Sequence, residues 1–134
     1  MPPITENAVV DAVCLFLEAE GRSIESRCGT SARGVDISAT RGGERLAIEA
    51  KGATSSKATT ARYGKPFSAA QVLDHVAKAI YAAMKARSQG FRSAVALPDD
   101  APHQRRIAAV AGSLTELGIT VYFVDASGAV RIAP

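Results

Sequence analysis

A chain of 134 residues suits a single domain spanning 1–134, and at this size folding buries roughly two-thirds of the surface the unfolded form exposes. Hydrophobic residues make up 47% and charged residues 22%, which excludes a disordered chain, and no apolar run reaches the ~20 residues that span a bilayer. A net charge of +3, with a pI near 9.1, leans toward a polyanionic partner without selecting one.

The opening MPPITENAVV has neither the basic start nor the apolar run of a secretory signal, so a cytoplasmic protein with no membrane association is expected. Thr5 is placed to cap a first helix running to about Glu20, with Gly21 in the stop position. Its apolar stripe is Val10, Val13 and Leu17, flanked by Val9 and Phe16. Cys14 falls inside that helix and Cys28 ends a short strand over 22–28. Their spacing matches no zinc pattern, and free thiols are expected.

The segment GVDISATRGGERLAIEAKG follows, two strand-like runs joined by Gly42-Gly43. A two-residue turn whose central positions both need positive φ favours such a pair, which predicts a β-hairpin with Arg41 facing Glu44. Asp36 then stands opposite Glu49, Lys51 projects from the same face, and Gly34 leaves it space. The other face pairs Val35 with Ala50, Ile37 with Ile48 and Ala39 with Leu46, an apolar surface suited to a helix. A one-residue slip would bury the charges, so turn and pattern specify the same register.

Residues 52–66 are rich in Gly, Ser, Thr and cations and predict an exposed loop. The 15 residues from Lys51 to Lys65 contain no acid and carry Lys57 and Arg62 as well. A second helix is predicted over about 69–88, with a core stripe of Leu73, Val76, Ile80, Ala83 and Met84. Ser68 and Gln71 have the spacing of a capping box. A buried strand at 93–97 follows, then a third helix from Pro102 to Gly118 with Ile107, Val110, Ala111, Leu114 and Leu117 on one side. His103, beside Gln104, Arg105 and Arg106, reads as part of a solvated helix start. Strands at 119–124 and 129–132 end the chain. The order αβββαβαββ predicts an α/β domain with a mixed sheet.

Two opposed carboxylates repel, and a folded protein tolerates them when a cation sits between them. Asp and Glu oxygens completed by water and phosphate suit Mg²⁺, with Mn²⁺ able to substitute, and Lys51 adds positive charge where a phosphate would gather negative charge. The plainer alternative is a surface salt-bridge cluster, Asp36–Lys51 and Glu49–Arg45.

Asp36, a hairpin and then Glu49-Ala50-Lys51 resemble the D…ExK pattern of the PD-(D/E)XK nuclease superfamily, which includes restriction endonucleases and Holliday junction resolvases. The resemblance covers roughly residues 5–88; Val35 stands where that pattern has Pro. It implies a restriction endonuclease-like core with a mixed β-sheet flanked by helices. It further implies a Mg²⁺-dependent endonuclease hydrolysing DNA phosphodiester bonds, the cation held by Asp36, Glu49 and the Ala50 carbonyl, with Lys51 assisting the attack of water. Cleavage leaving a 5′-phosphate is part of the same implication.

An additional Glu from the first helix is expected of such a site. Glu6 matches, lying on the same helical face as Val10, Val13 and Leu17; complementing the helix dipole is its alternative role. Gln71 is a further site candidate, although the capping box already explains it. His75 is read as an ordinary helix residue, since the chemistry needs no imidazole. Arg33, Lys57, Arg62 and Lys65 are candidates for contacting the nucleic-acid backbone without reading sequence. So short a chain leaves little room for a recognition domain, which points to structure-directed or weakly specific cleavage of DNA, branched or damaged forms included. A homodimer acting on two strands is an analogy to the resolvases. The competing expectations are a catalytically inactive nucleic-acid-binding module that retains the fold, and an α/β domain whose charged hairpin face binds a protein.

Overall fold

In the computed structural model, residues 3–27, 35–54 and 64–134 are described. The first helix, α1 (Glu6–Ala19), starts where the Thr5 hydroxyl accepts the Ala8 N–H at 3.2 Å. It ends where Gly21, at φ 88°, turns the chain so that the Arg22 N–H bonds back to the Leu17 carbonyl. There follow β1 (Ser23–Arg27), β2 (Ile37–Arg41), β3 (Glu44–Ala50), α2 (Ala69–Ser88), β4 (Arg92–Pro98), α3 (Ala101–Ala108), α4 (Ala111–Leu117), β5 (Ile119–Val124) and β6 (Val130–Ile132).

All six strands form one mixed sheet in the order β1-β2-β3-β4-β5-β6. The chain enters and leaves it through antiparallel pairs, while β3, β4 and β5 run parallel. Parallel neighbours need crossovers, supplied by α2 and by α3 with α4. Strand side chains alternate between two cores. On one face Val9, Val13 and Leu17 of α1 pack on Ile37, Ile48, Ala94 and Val124. On the other, Val72, Val76 and Ala83 of α2 with Ile107 and Leu114 pack on Val95, Leu97 and Val121. Helices therefore cover both faces of the sheet.

The α/β class and the mixed sheet agree with the sequence reading, but the element order does not. The expected third helix is two helices, making the order αβββαβααββ. Val110 leaves helical geometry (φ −124°, ψ 11°) two residues before Gly112, a residue that by itself is tolerated within a helix, and Val110 and Leu117 stay exposed. The buried stripe of α2 is Val72, Val76, Ala79, Ala83 and Ala86, while Leu73 and Met84 are exposed. In so alanine-rich a helix the apolar pattern leaves the phase open by one position, and the small residues go to the sheet because they let the helix approach. His103 is not at a solvated helix start. It is 1% exposed, with Nδ1 2.6 Å from the carboxylate of Asp100, the residue that caps α3.

Candidate active site

The β2–β3 hairpin has the expected register. Gly42 (φ 56°) and Gly43 (φ 84°) form the turn, and Arg41 pairs with Glu44, Ala39 with Leu46 and Ile37 with Ile48. Regular pairing stops at that last rung. Asp36 sits in a bend just before β2, its N–H reaching the Ile48 carbonyl at 3.1 Å, while its carboxylate accepts the Ala50 N–H at 2.8 Å. A side chain thus takes the donor that a strand carbonyl would have taken, and this holds the Asp36 carboxylate at the end of β3. Gly34, expected opposite Lys51, lies outside the described residues.

Glu49 and Lys51 project toward the α2 side of the sheet, opposite in direction to Ile48 and Ala50. Lys51 Nζ stands 3.9 Å from Glu49 Oε2, with the Glu49 side chain only 15% exposed. The other Glu49 oxygen, Oε1, is buried with no hydrogen-bond donor among the described residues. Burial, then the charge of Asp36 and a hydrogen bond shared with it, push the Glu49 carboxyl up to about 7 against the smaller opposing effect of Lys51. The expected salt-bridge alternative is not formed as drawn: Arg45 lies over the Phe91 ring at 4.2 Å.

Glu6 joins this group. Its carboxyl is raised by burial and by the charge of Asp36, with Lys51 pulling the other way, and its charge in turn raises Glu49. The backbone explains how a helix on one face delivers a residue to a site that opens on the other. Thr5 bridges Thr54 in parallel, and the Ala53 N–H bonds the Ile4 carbonyl at 2.7 Å. Gly52 lies so close beneath the start of α1 that a Cβ there would stand 2.3 Å from the Glu6 nitrogen. Only glycine permits that approach.

Gln71 forms the capping box: its side-chain oxygen accepts the Ser68 N–H at 2.8 Å, and its own N–H bonds the Ser68 hydroxyl at 3.3 Å. His75 is half-buried, edge-on to Phe67, with Nδ1 lacking a partner among the described residues. Burial and, second, the charge of Lys51 lower its pKa. Of the cations assigned to the nucleic-acid backbone, Arg33, Lys57 and Arg62 lie outside the described residues, as does Cys28. Lys65 is exposed ahead of α2.

The sequence reading did not anticipate what covers the site. Glu49 and Val35 line a cleft of about 440 Å³ whose other wall is α2, through Tyr81, Ala82, Lys85, Ala86 and Gln89; Val35, expected against Ala50 on the apolar face, borders the Glu49 side instead, because regular pairing ends at Ile37–Ile48. The spacing of the α2 residues along one helix flank was visible, but which flank faced β3 was not.

Among the described residues no three His, Cys, Asp or Glu side chains are already arranged to hold a metal ion. A cation at this site would therefore rest first on Asp36 and Glu49. A strand residue directs its N–H and C=O to the same neighbour, so the Ala50 carbonyl faces the same edge of β3 as the N–H that bonds Asp36. No helix among the described residues is long and apolar enough to cross a membrane. Comparison with protein-family models, with curated proteins and with solved structures finds no match.

Proposed function

We propose that this protein is a Mg²⁺-dependent endonuclease of restriction endonuclease-like fold that hydrolyses DNA phosphodiester bonds, with structure-directed or weak sequence preference. The observation that carries this reading is the placing of two carboxylates at the end of β3, Asp36 held there by the Ala50 N–H and the buried Glu49 with Lys51 Nζ 3.9 Å away. Desolvating like charges together is unfavourable unless a cation is part of the arrangement. The buried Oε1 of Glu49, without a hydrogen-bond donor among the described residues, is free to take a divalent ion as its partner. Hard carboxylate and carbonyl oxygens, with no thiolate or imidazole among them, suit Mg²⁺ or Mn²⁺.

Asp36, Glu49 and the Ala50 carbonyl would hold the ion, and Glu6 would act on it directly or through water. When bound, the ion supplies Lewis-acid polarisation of the phosphate and activation of water. Lys51, held beside Glu49, places its ammonium where the phosphate gains negative charge in the transition state. The Ala50 N–H bond keeps the Asp36 carboxylate oriented without a rearrangement at the moment of reaction. Gln71 serves the fold first, because its side-chain oxygen and backbone N–H close the α2 cap.

The test is incubation of purified protein with supercoiled plasmid, linear duplex and a four-way junction in Mg²⁺, Mn²⁺ or EDTA. Metal-dependent nicking should fall by about 100-fold or more in both Asp36→Ala and Lys51→Ala, the scale of losing one transition-state contact. Binding without cleavage in any metal would favour the inactive module, and neither binding nor cleavage would overturn the nucleic-acid reading.

A further inference from the structure

The cleft beside Glu49 has a composition the hydrolytic chemistry does not use. Its α2 wall presents Tyr81, Lys85 and Gln89, each one helical turn beyond the last, on a ridge spanning about 12 Å. Tyr81 is 71% exposed and its ring touches no other ring among the described residues. Lys85 enters no salt bridge among the described residues, whereas Lys78 on the same helix is paired with Asp74 at 3.0 Å. Ala82 and Ala86 line the same cleft as Glu49, and their small side chains add little bulk to it.

We infer that this cleft is the seat of an unpaired nucleotide strand, with Tyr81 stacking on a base and Lys85 holding a phosphate, so that the enzyme works on single-stranded or locally opened DNA. The inference rests on the nuclease reading for its ligand and goes beyond it in naming the substrate form. Size favours it over a duplex: about 440 Å³ is the volume of a site for one small molecule, which a single extruded nucleotide resembles. An aromatic face beside a cation is the arrangement that holds single strands without reading their sequence. Gln89, at the far end of the ridge, offers an amide to the strand as it leaves the cleft.

Fluorescence anisotropy with labelled dT12 and with a 12-base-pair duplex, in EDTA so that no strand is cut, tests this directly. The wild type should bind dT12 more tightly than the duplex. Tyr81→Ala should weaken dT12 binding by about 5- to 150-fold, the range for one stacked base, with duplex binding within about 2-fold of wild type. Tyr81→Phe should restore it, and Lys85→Ala should flatten the salt dependence for dT12 by about 0.7 in the log–log slope. Failure of the wild type to bind dT12, preference for the duplex, or undiminished dT12 binding by Tyr81→Ala would each overturn the assignment. Binding through Tyr81 in a protein that cuts nothing in any metal would remove the hydrolytic reading and leave only the strand seat at Tyr81 and Lys85 standing. Metal-dependent cutting with no effect of Tyr81→Ala on dT12 binding would do the reverse.

Discussion

Glu44 and Glu49 lie on the same strand and are driven in opposite directions by their surroundings. Glu44 accepts from Arg22 at 3.0 Å and from Arg92 at 3.1 Å, and these bonds, the one to Arg22 foremost, hold its carboxyl below the usual range. Glu49 is enclosed beside Asp36 and stays protonated to about pH 7. Between about pH 4.5 and 7 the folded protein therefore keeps a proton that the unfolded chain has released, so stability falls as pH rises through that window and levels off above it. Glu6, raised by the same causes, adds to the fall. Thermal melts of metal-free protein should lose about 1–3 kcal/mol between pH 5 and pH 8. Glu49→Gln should remove most of the slope, and Mg²⁺ at pH 8 should recover the loss. A wild-type curve flat across this range would refute the account, as would a slope that Glu49→Gln leaves intact.

At the scale of elements, the hairpin was the most legible part of the chain. Turn chemistry and period-two alternation specify one register, and the structure has it from Arg41–Glu44 through Ile37–Ile48. The final rung was not legible, because it is made by the Asp36 side chain rather than by the backbone. Gly43 offers a clean probe of the turn: no atom lies within 4 Å of where its Cβ would be, yet φ is +84°. Gly43→Ala should therefore cost about 1–2 kcal/mol through backbone conformation alone. Urea denaturation would read this as a lower midpoint at unchanged slope; an unchanged midpoint would show that the turn does not need positive φ there. Helix α2 was legible as a helix with its cap, but not in phase. Alanines at 79, 83 and 86 carry too little hydrophobic contrast against Leu73 and Met84 to say which face turns inward.

Across the whole molecule, the decisive contact joins the start of α1 to the segment that follows β3. Gly52 lets the start of α1 cross over that strand end, and the Ile4–Ala53 bond and Thr5–Thr54 bridge lock it there. Gly52→Ala should accordingly destabilise the protein by about 1–3 kcal/mol through overpacking against the Thr5–Glu6 backbone. It should also reduce cleavage more than Glu6→Gln does, because it displaces the backbone that carries Glu6 as well as disturbing the strand end next to Lys51. Melting and plasmid nicking on the two variants compare these effects. A Gly52→Ala protein as stable and as active as the wild type would show that α1 has no part in building the site.

The sequence by itself determined what depends on neighbours along the chain. These are the α1 and α2 caps, the glycine turn and the hairpin register from Arg41–Glu44 to Ile37–Ile48. Only the tertiary structure decided that α2 closes over the charged face, that Gly52 brings Glu6 within electrostatic reach of the others, and that Tyr81 and Lys85 border the same cleft. Those facts depend on how far apart two surfaces settle when small side chains let them approach, and no local pattern encodes that distance.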